Sequence, residues 1–143
     1  MTGGPIVTLT AERDPGAEAV VMGGLAAYNK ERISRVDWQT LDILVRDPET
    51  GEIVGGLLGH TSLRLFLLDL FYLPEALRGG GLGSRFIAQA EAEARRRGCT
   101  AAFVMTVTFQ APGFYEGHGY RRFGEIPCPP DGATRIFLTK ALD

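Results

Sequence analysis

Three consecutive glycines, Gly79-Gly80-Gly81, and a fourth at Gly83 separate an apolar run ending at Leu73 from a stretch with strong helical periodicity. No other feature restricts the fold as much. Glycine has no Cβ, so the chain can turn sharply there and aim several backbone N–H groups at one oxygen-rich group. The positive end of the following helix adds to the same point, and phosphates are the usual ligand at such a place. Two familiar phosphate loops fail on spacing. A dinucleotide fingerprint needs glycine at the sixth position of G-x-G-x-x-G, where this chain has Ser84 counting from Gly79 and Phe86 counting from Gly81. No G-x-x-x-x-G-K-[ST] is present either. The residues instead fit [RQ]-x-x-G-x-[GA], with Arg78, Gly81 and Gly83 in the defined places.

At 143 residues the chain suits a single domain, long enough to bury a core. A hydrophobic fraction of 45% with 22% charged residues is the balance of a soluble globular protein. The net charge of -2 argues against binding nucleic acid, which draws on clustered Lys and Arg. The one basic run, Arg95-Arg96-Arg97, falls at a helix C-terminus, where cations offset the dipole. The start of the chain lacks the apolar core of a signal peptide, and no apolar run is long enough for a bilayer, so a cytoplasmic location without a membrane is expected. Cys99 and Cys128 fit thiols in a reducing compartment, and with His60 and His118 scattered beside them no metal-ligand spacing appears.

Along the chain, Ile6 to Thr10 alternates like a short strand, and Asp14-Pro15 opens a helical stretch that Gly23-Gly24 breaks or bends. Leu41 to Arg46 and Glu52 to Gly59 read as a hairpin across Asp47 to Gly51, with a loop at His60 to Ser62. Leu63 to Leu73 is apolar on both faces and reads as a central strand covered on both sides. Gly81 to Arg97 is the best helix, with Leu82, Phe86, Ile87, Ala90 and Ala94 as its buried stripe and Gly98 as its stop. Ala101 to Val107, a short helix from Pro112, and strands Tyr120 to Glu125 and Thr134 to Leu142 complete the order. This is an α/β class chain with a central mixed sheet of six to seven strands and helices on both faces.

A second motif, Ala111-Pro112-Gly113-Phe114-Tyr115-Glu116-Gly117-His118-Gly119-Tyr120, lies downstream of the glycine loop. Loop, motif and element order together resemble the GNAT superfamily of N-acetyltransferases over nearly the whole chain, through the patterns [RQ]-x-x-G-x-[GA] and A-x-x-[FL]-Y-x-x-x-G-[FY]. The resemblance implies a single GNAT-like domain over 1–143 that binds acetyl-CoA and moves its acetyl group directly to a primary amine, first of a small molecule and second of a protein. The alternative is a non-catalytic acyl-CoA-binding or sensing module. By the same resemblance Arg78, Gly79, Gly80, Gly81, Leu82, Gly83 and Ser84 hold the pyrophosphate. The main chain of Phe71, Tyr72 and Leu73 serves pantetheine and the developing oxyanion, because the family's fourth strand splays from its fifth. Tyr115 matches the family's tyrosine acid, which protonates the departing thiolate. Many relatives carry Asn where this chain has Thr108, so the polar contact to coenzyme A expected at Thr108 is either missing or supplied by nearby Gln110. Since such domains often pair, the closing strands also offer a homodimer edge.

An alkylamine is only about one part in a thousand neutral near pH 7.4, a cost of roughly 4 kcal/mol, so a base is useful. Asp69 is the candidate. In regular alternation it shares a face with Leu65, Leu67, Phe71 and Leu73, where an unpaired carboxylate is expensive unless it has a structural or functional use. His60 is the other candidate. The segments Glu31 to Thr40, with Arg32, Arg35, Asp37 and Trp38, and Ile126 to Ala133, with Asp131, are expected to select the acceptor without naming it.

Overall fold

The computed structural model describes residues 3–33 and 37–143, which fall in two compact units, Met1–Val36 and Asp37–Asp143. Arg35, one of the expected selectivity residues, lies outside the described residues.

In the first unit α1 runs from Ala17–Lys30 without interruption. Asp14 starts it, its carboxylate accepting from the Gly16 amide at 2.9 Å. Gly23-Gly24 therefore does not break the helix. Glycine costs about 1 kcal/mol relative to alanine, and the flanking alanines are strong helix formers. Ile6 to Thr10 forms no strand, contrary to its alternation. A strand exists only where its amides and carbonyls find a ladder, and none is formed here.

The second unit holds a six-stranded sheet in the order β1-β2-β3-β4-β6-β5. Its strands are β1 (Gln39–Arg46), β2 (Ile53–Ser62), β3 (Leu65–Tyr72), β4 (Ala101–Val107), β5 (Arg121–Cys128) and β6 (Ala133–Ala141). Only β3 and β4 are parallel, joined by the crossover helix α2 (Leu82–Arg96), and α3 (Pro112–Gly117) links β4 to β5. One sheet face packs the core: Leu57, Phe66, Ala102, Val104, Ile136 and Leu138 are fully or nearly fully buried with Phe86, Ile87 and Ala90 of α2. Removing each large side chain from water contributes about 1.5–3 kcal/mol, which fixes α2 over this face.

The structure departs from the sequence reading between β2 and β3. The turn is Leu63-Arg64, both in the left-handed region at φ 50° and 64°, so β2 continues through His60 to Ser62. Nothing in the dipeptide announces a turn, because asparagine or glycine usually fills such positions. Further along, Gly59 pairs with Leu68 but Leu58 pairs with Leu70, which leaves Asp69 as the extra residue of a β-bulge. The bulge resets the alternation. Phe66 and Leu68 face the core before it, and Phe71 and Leu73 face the core after it. Asp69 and the exposed Leu70 turn to the opposite face, so β3 is not apolar and covered on both sides along its whole length.

Candidate active site

The parallel ladder between β3 and β4 stops early. Register pairs run from Leu65↔Ala101 to Leu68↔Val104, although β3 continues to Tyr72 and β4 to Val107. Beyond that point the two strands separate and a cleft of about 730 Å³ opens between them. Its walls combine Leu68 to Tyr72 of β3 with Leu73 just beyond it, Val104 to Thr106 of β4, Phe109 to Ala111, and Phe114 and Tyr115 of α3. Its mouth is the loop of Leu77, Arg78, Gly79, Gly81, Gly83 and Ser84. Such a volume suits a sizeable ligand.

The loop is built to receive an anion. Gly81 is the N-cap of α2 at φ 83°, a left-handed conformation that disfavours other residues, and no side chain caps the helix. The first amide bonded back into the helix is that of Arg85, to the Gly81 carbonyl at 3.1 Å. The amides of Leu82, Gly83 and Ser84 precede it and concentrate the positive end of the dipole. Gly83 is closely packed as well. A Cβ there would lie 3.3 Å from the Phe114 ring and 3.6 Å from that of Phe71. Arg78 braces the loop, its Nε donating to the Leu73 carbonyl at 2.8 Å. Beside the loop, Ser84 Oγ and His118 Nε2 stand 3.0 Å apart. Sequence reasoning missed this pair, since nothing local brings α3 against α2.

Of the expected coenzyme-binding residues, Gly80, Leu82 and Thr108 do not line the cleft. Leu82 packs toward the core instead. Thr108 is engaged with β6: its amide donates to the Thr134 carbonyl at 3.1 Å, and its hydroxyl oxygen accepts from the Thr134 amide at 3.2 Å. Gln110 lines the cleft.

Tyr115 reaches the cleft from α3 and packs edge-on against Phe114 and Tyr120. Burial pushes its phenol up to about 12, so it holds its proton throughout the neutral range. Behind it, Tyr120 donates to buried Glu91 at 3.0 Å, and Lys140 donates to the same carboxylate at 2.8 Å. Burial first, and then the Glu91 charge, raise the Tyr120 phenol as well.

Asp69 also lines the cleft, but its surroundings differ from the sequence expectation. Its carboxyl is half exposed and paired, with Oδ2 at 2.7 Å from His60 Nδ1. The His60 ring stacks on Trp38 with centroids 4.8 Å apart and planes 18° from parallel. The two residues weighed as alternative bases are thus neighbours. The bulge brings them together, and no local signal in the sequence marks it. Among the described residues no group of three or more His, Cys, Asp or Glu is placed to hold a metal ion, and no helix is long and apolar enough to cross a membrane.

Comparison with known proteins agrees with this geometry. The model of the acetyltransferase (GNAT) family matches residues 18–120. An Agrobacterium fabrum protein, acetyltransferase Atu2258, is 35% identical over 127 residues, covering 89% of this chain and 92% of its own length. The blasticidin-S acetyltransferase of Streptomyces morookaense is 48% identical over 95 residues, 66% of this chain and 70% of that protein. The crystal structure of a Bacillus cereus acetyltransferase superimposes with a TM-score of 0.76 at 25% identity, covering 94% of this chain and 98% of that one. The chain therefore belongs to the acetyltransferase (GNAT) family, and is an acyltransferase whose acyl donor is acetyl-CoA.

Proposed function

We propose that this enzyme transfers the acetyl group of acetyl-CoA directly to a primary amine of a small molecule, and that residues 1–143 work as one cytoplasmic domain. The observation that carries the reading is the early end of the β3–β4 ladder. The cleft there joins Gly83, Phe71 and Tyr115 on the core side to Asp69, Leu70 and Met105 on the opposite side. A donor lying along the loop and an acceptor entering from the other face would meet in one cavity. Holding two reactants together lowers the barrier by several kcal/mol before any group acts chemically.

In this scheme the α2 N-terminus binds pyrophosphate, and the edge freed from β4, at Phe71 and Tyr72 of β3 and Leu73 just beyond it, supplies amides to pantetheine and the carbonyl oxygen. Tyr115 gives its proton to the departing sulfur, for which a protonated phenol is suited. The likeness to a blasticidin-S acetyltransferase supports a small-molecule acceptor over a protein. β5, at the edge of the sheet, is the surface through which two copies would pair, and light scattering would show the dimer. The deciding experiment offers acetyl-CoA and a panel of small amines and peptides, with products read by mass spectrometry. An N-acetylated small amine is the expected result. Acetylation of peptides alone would overturn the acceptor class.

A further inference from the structure

Asp69 lines the cleft and holds beside it, outside the lining itself, a group that the transfer scheme leaves unassigned, His60. His60 sits on β2 opposite Thr40 of β1 and Leu67 of β3, on the face to which the bulge turns Asp69. Two contacts fix its ring: Asp69 Oδ2 holds Nδ1 at 2.7 Å and Trp38 covers one face. By strand register the charged residues beside it on the same side of the neighbouring strands are Asp69 of β3 and Asp42 of β1, while Leu58 and Ser62 flank it on its own strand. Asp42 is already engaged with the Gly59 amide at 3.2 Å, which leaves Asp69 as the ring's partner. A carboxylate on Nδ1 favours the tautomer with the proton there, so Nε2 carries the lone pair.

We propose that His60 Nε2 is the base that deprotonates the acceptor amine, directly or through one water, and that Asp69 is its positioning residue. This rests on the transfer reading above. An imidazole changes charge between about pH 5 and 8, whereas a carboxylate is a poor match for an alkylammonium. The proton count closes. R–NH3+ gives one proton to His60 Nε2, which releases it to solvent. The nitrogen lone pair then forms the C–N bond as the C–S bond breaks, with the sulfur taking the Tyr115 proton. The attacking nitrogen sheds one further proton, which restores Tyr115, and the amide keeps the third. The net change is R–NH3+ and acetyl-CoA to the N-acetyl amine, coenzyme A and one proton.

The test measures single-turnover acetylation of an amine the wild type accepts, from pH 6 to 9, in wild type, His60→Gln, His60→Ala and Asp69→Asn. The Nδ1 and Nε2 signals of His60 are followed by nitrogen NMR in the same samples. His60→Gln should be slowed on the order of 10²-fold near neutrality, recover as pH rises, and bind acetyl-CoA within about twofold of wild type. Free imidazole should restore part of the His60→Ala rate, which keeps the test valid should the glutamine variant fold poorly. Asp69→Asn should move the ring proton from Nδ1 to Nε2 and lose rate to a similar extent. A His60→Gln enzyme with wild-type rates and pH profile overturns the assignment. So does loss of rate in Asp69→Asn alone, which would make the carboxylate itself the base. A wild type that acetylates no amine at any pH overturns the transfer reading along with it.

Discussion

A single hydroxyl separates the chemical and structural contributions of Tyr115. Its ring is 7% exposed and wedged between Phe114 and Tyr120, so Tyr115→Phe keeps the packing and deletes only the donor. If that donor protonates the leaving sulfur, kcat should fall on the order of 10²-fold while acetyl-CoA affinity changes little. Burial gives the same phenol a second signature. Its folded value is raised from 10.0 to about 12, so the neutral ring favours the folded state below about pH 10, and that contribution is lost as pH rises toward 12. Alkaline unfolding should therefore be shallower in Tyr115→Phe than in wild type. Thermal melts between pH 8 and 12 give the comparison, and parallel curves would place the phenol in a wetter site. The motif around Tyr115 was legible because it is local. The Asp69–His60 contact was not, because two strands and a bulge create it.

At the scale of elements, α2 and the β2–β3 hairpin make opposite use of backbone conformation. The glycine loop before α2 could be read from the sequence because glycine tolerates φ 83°. The Leu63-Arg64 turn could not, because two residues with side chains occupy left-handed conformations at about 1–2 kcal/mol each. Asp37 holds that turn, its carboxylate accepting the Leu63 amide at 3.0 Å, and Thr100, just before β4, holds it from the other side, its amide donating to the Arg64 carbonyl at 2.8 Å. Replacing the pair by Leu63→Asn with Arg64→Gly should stabilise the fold by about 1 kcal/mol, read as a higher urea midpoint with an unchanged slope. A lower midpoint would show that Leu63 packs in a way its 60% exposure does not suggest. For α2, Gly83→Glu drives a side chain against Phe114 and a negative charge into the anion site. The wild type should gain about 2.7 kcal/mol of stability at a hundredfold excess of acetyl-CoA over Kd. The folded variant should gain almost none. An equal gain would make the loop a simple connection.

Across the whole molecule, the order of elements from β1 to β6 was legible because each carries its own periodicity, whereas the strand expected at Ile6 to Thr10 depended on a partner that the sequence does not specify. Contacts that join distant elements follow the same division. Glu93 on α2 is bonded by Arg96 and Arg97, and Arg97 in turn donates to the Thr40 carbonyl at 3.0 Å and the Thr61 hydroxyl at 3.1 Å, tying α2 to β1 and β2. From sequence, the i,i+4 pair of Glu93 and Arg97 reads as a solvated surface pair. In the fold, Arg97 is only 13% exposed, and its link to the strands arises from the crossover that lays α2 over them. Hydrogen bonds from Arg96 and then Arg97 lower the Glu93 carboxyl from 4.5 to about 2. A lowered folded value means the contribution is complete above about pH 4.5 and is lost as pH falls toward 2. Because Glu93 is partly open to solvent, the worth of the network is below about 1 kcal/mol. Glu93→Gln should therefore melt slightly lower than wild type at pH 7, and the difference should shrink to nothing between pH 4.5 and 2. Melting curves across that range at low salt would decide it. A constant difference down to pH 2 would assign the effect to lost packing of Arg97 and remove the charge from the account.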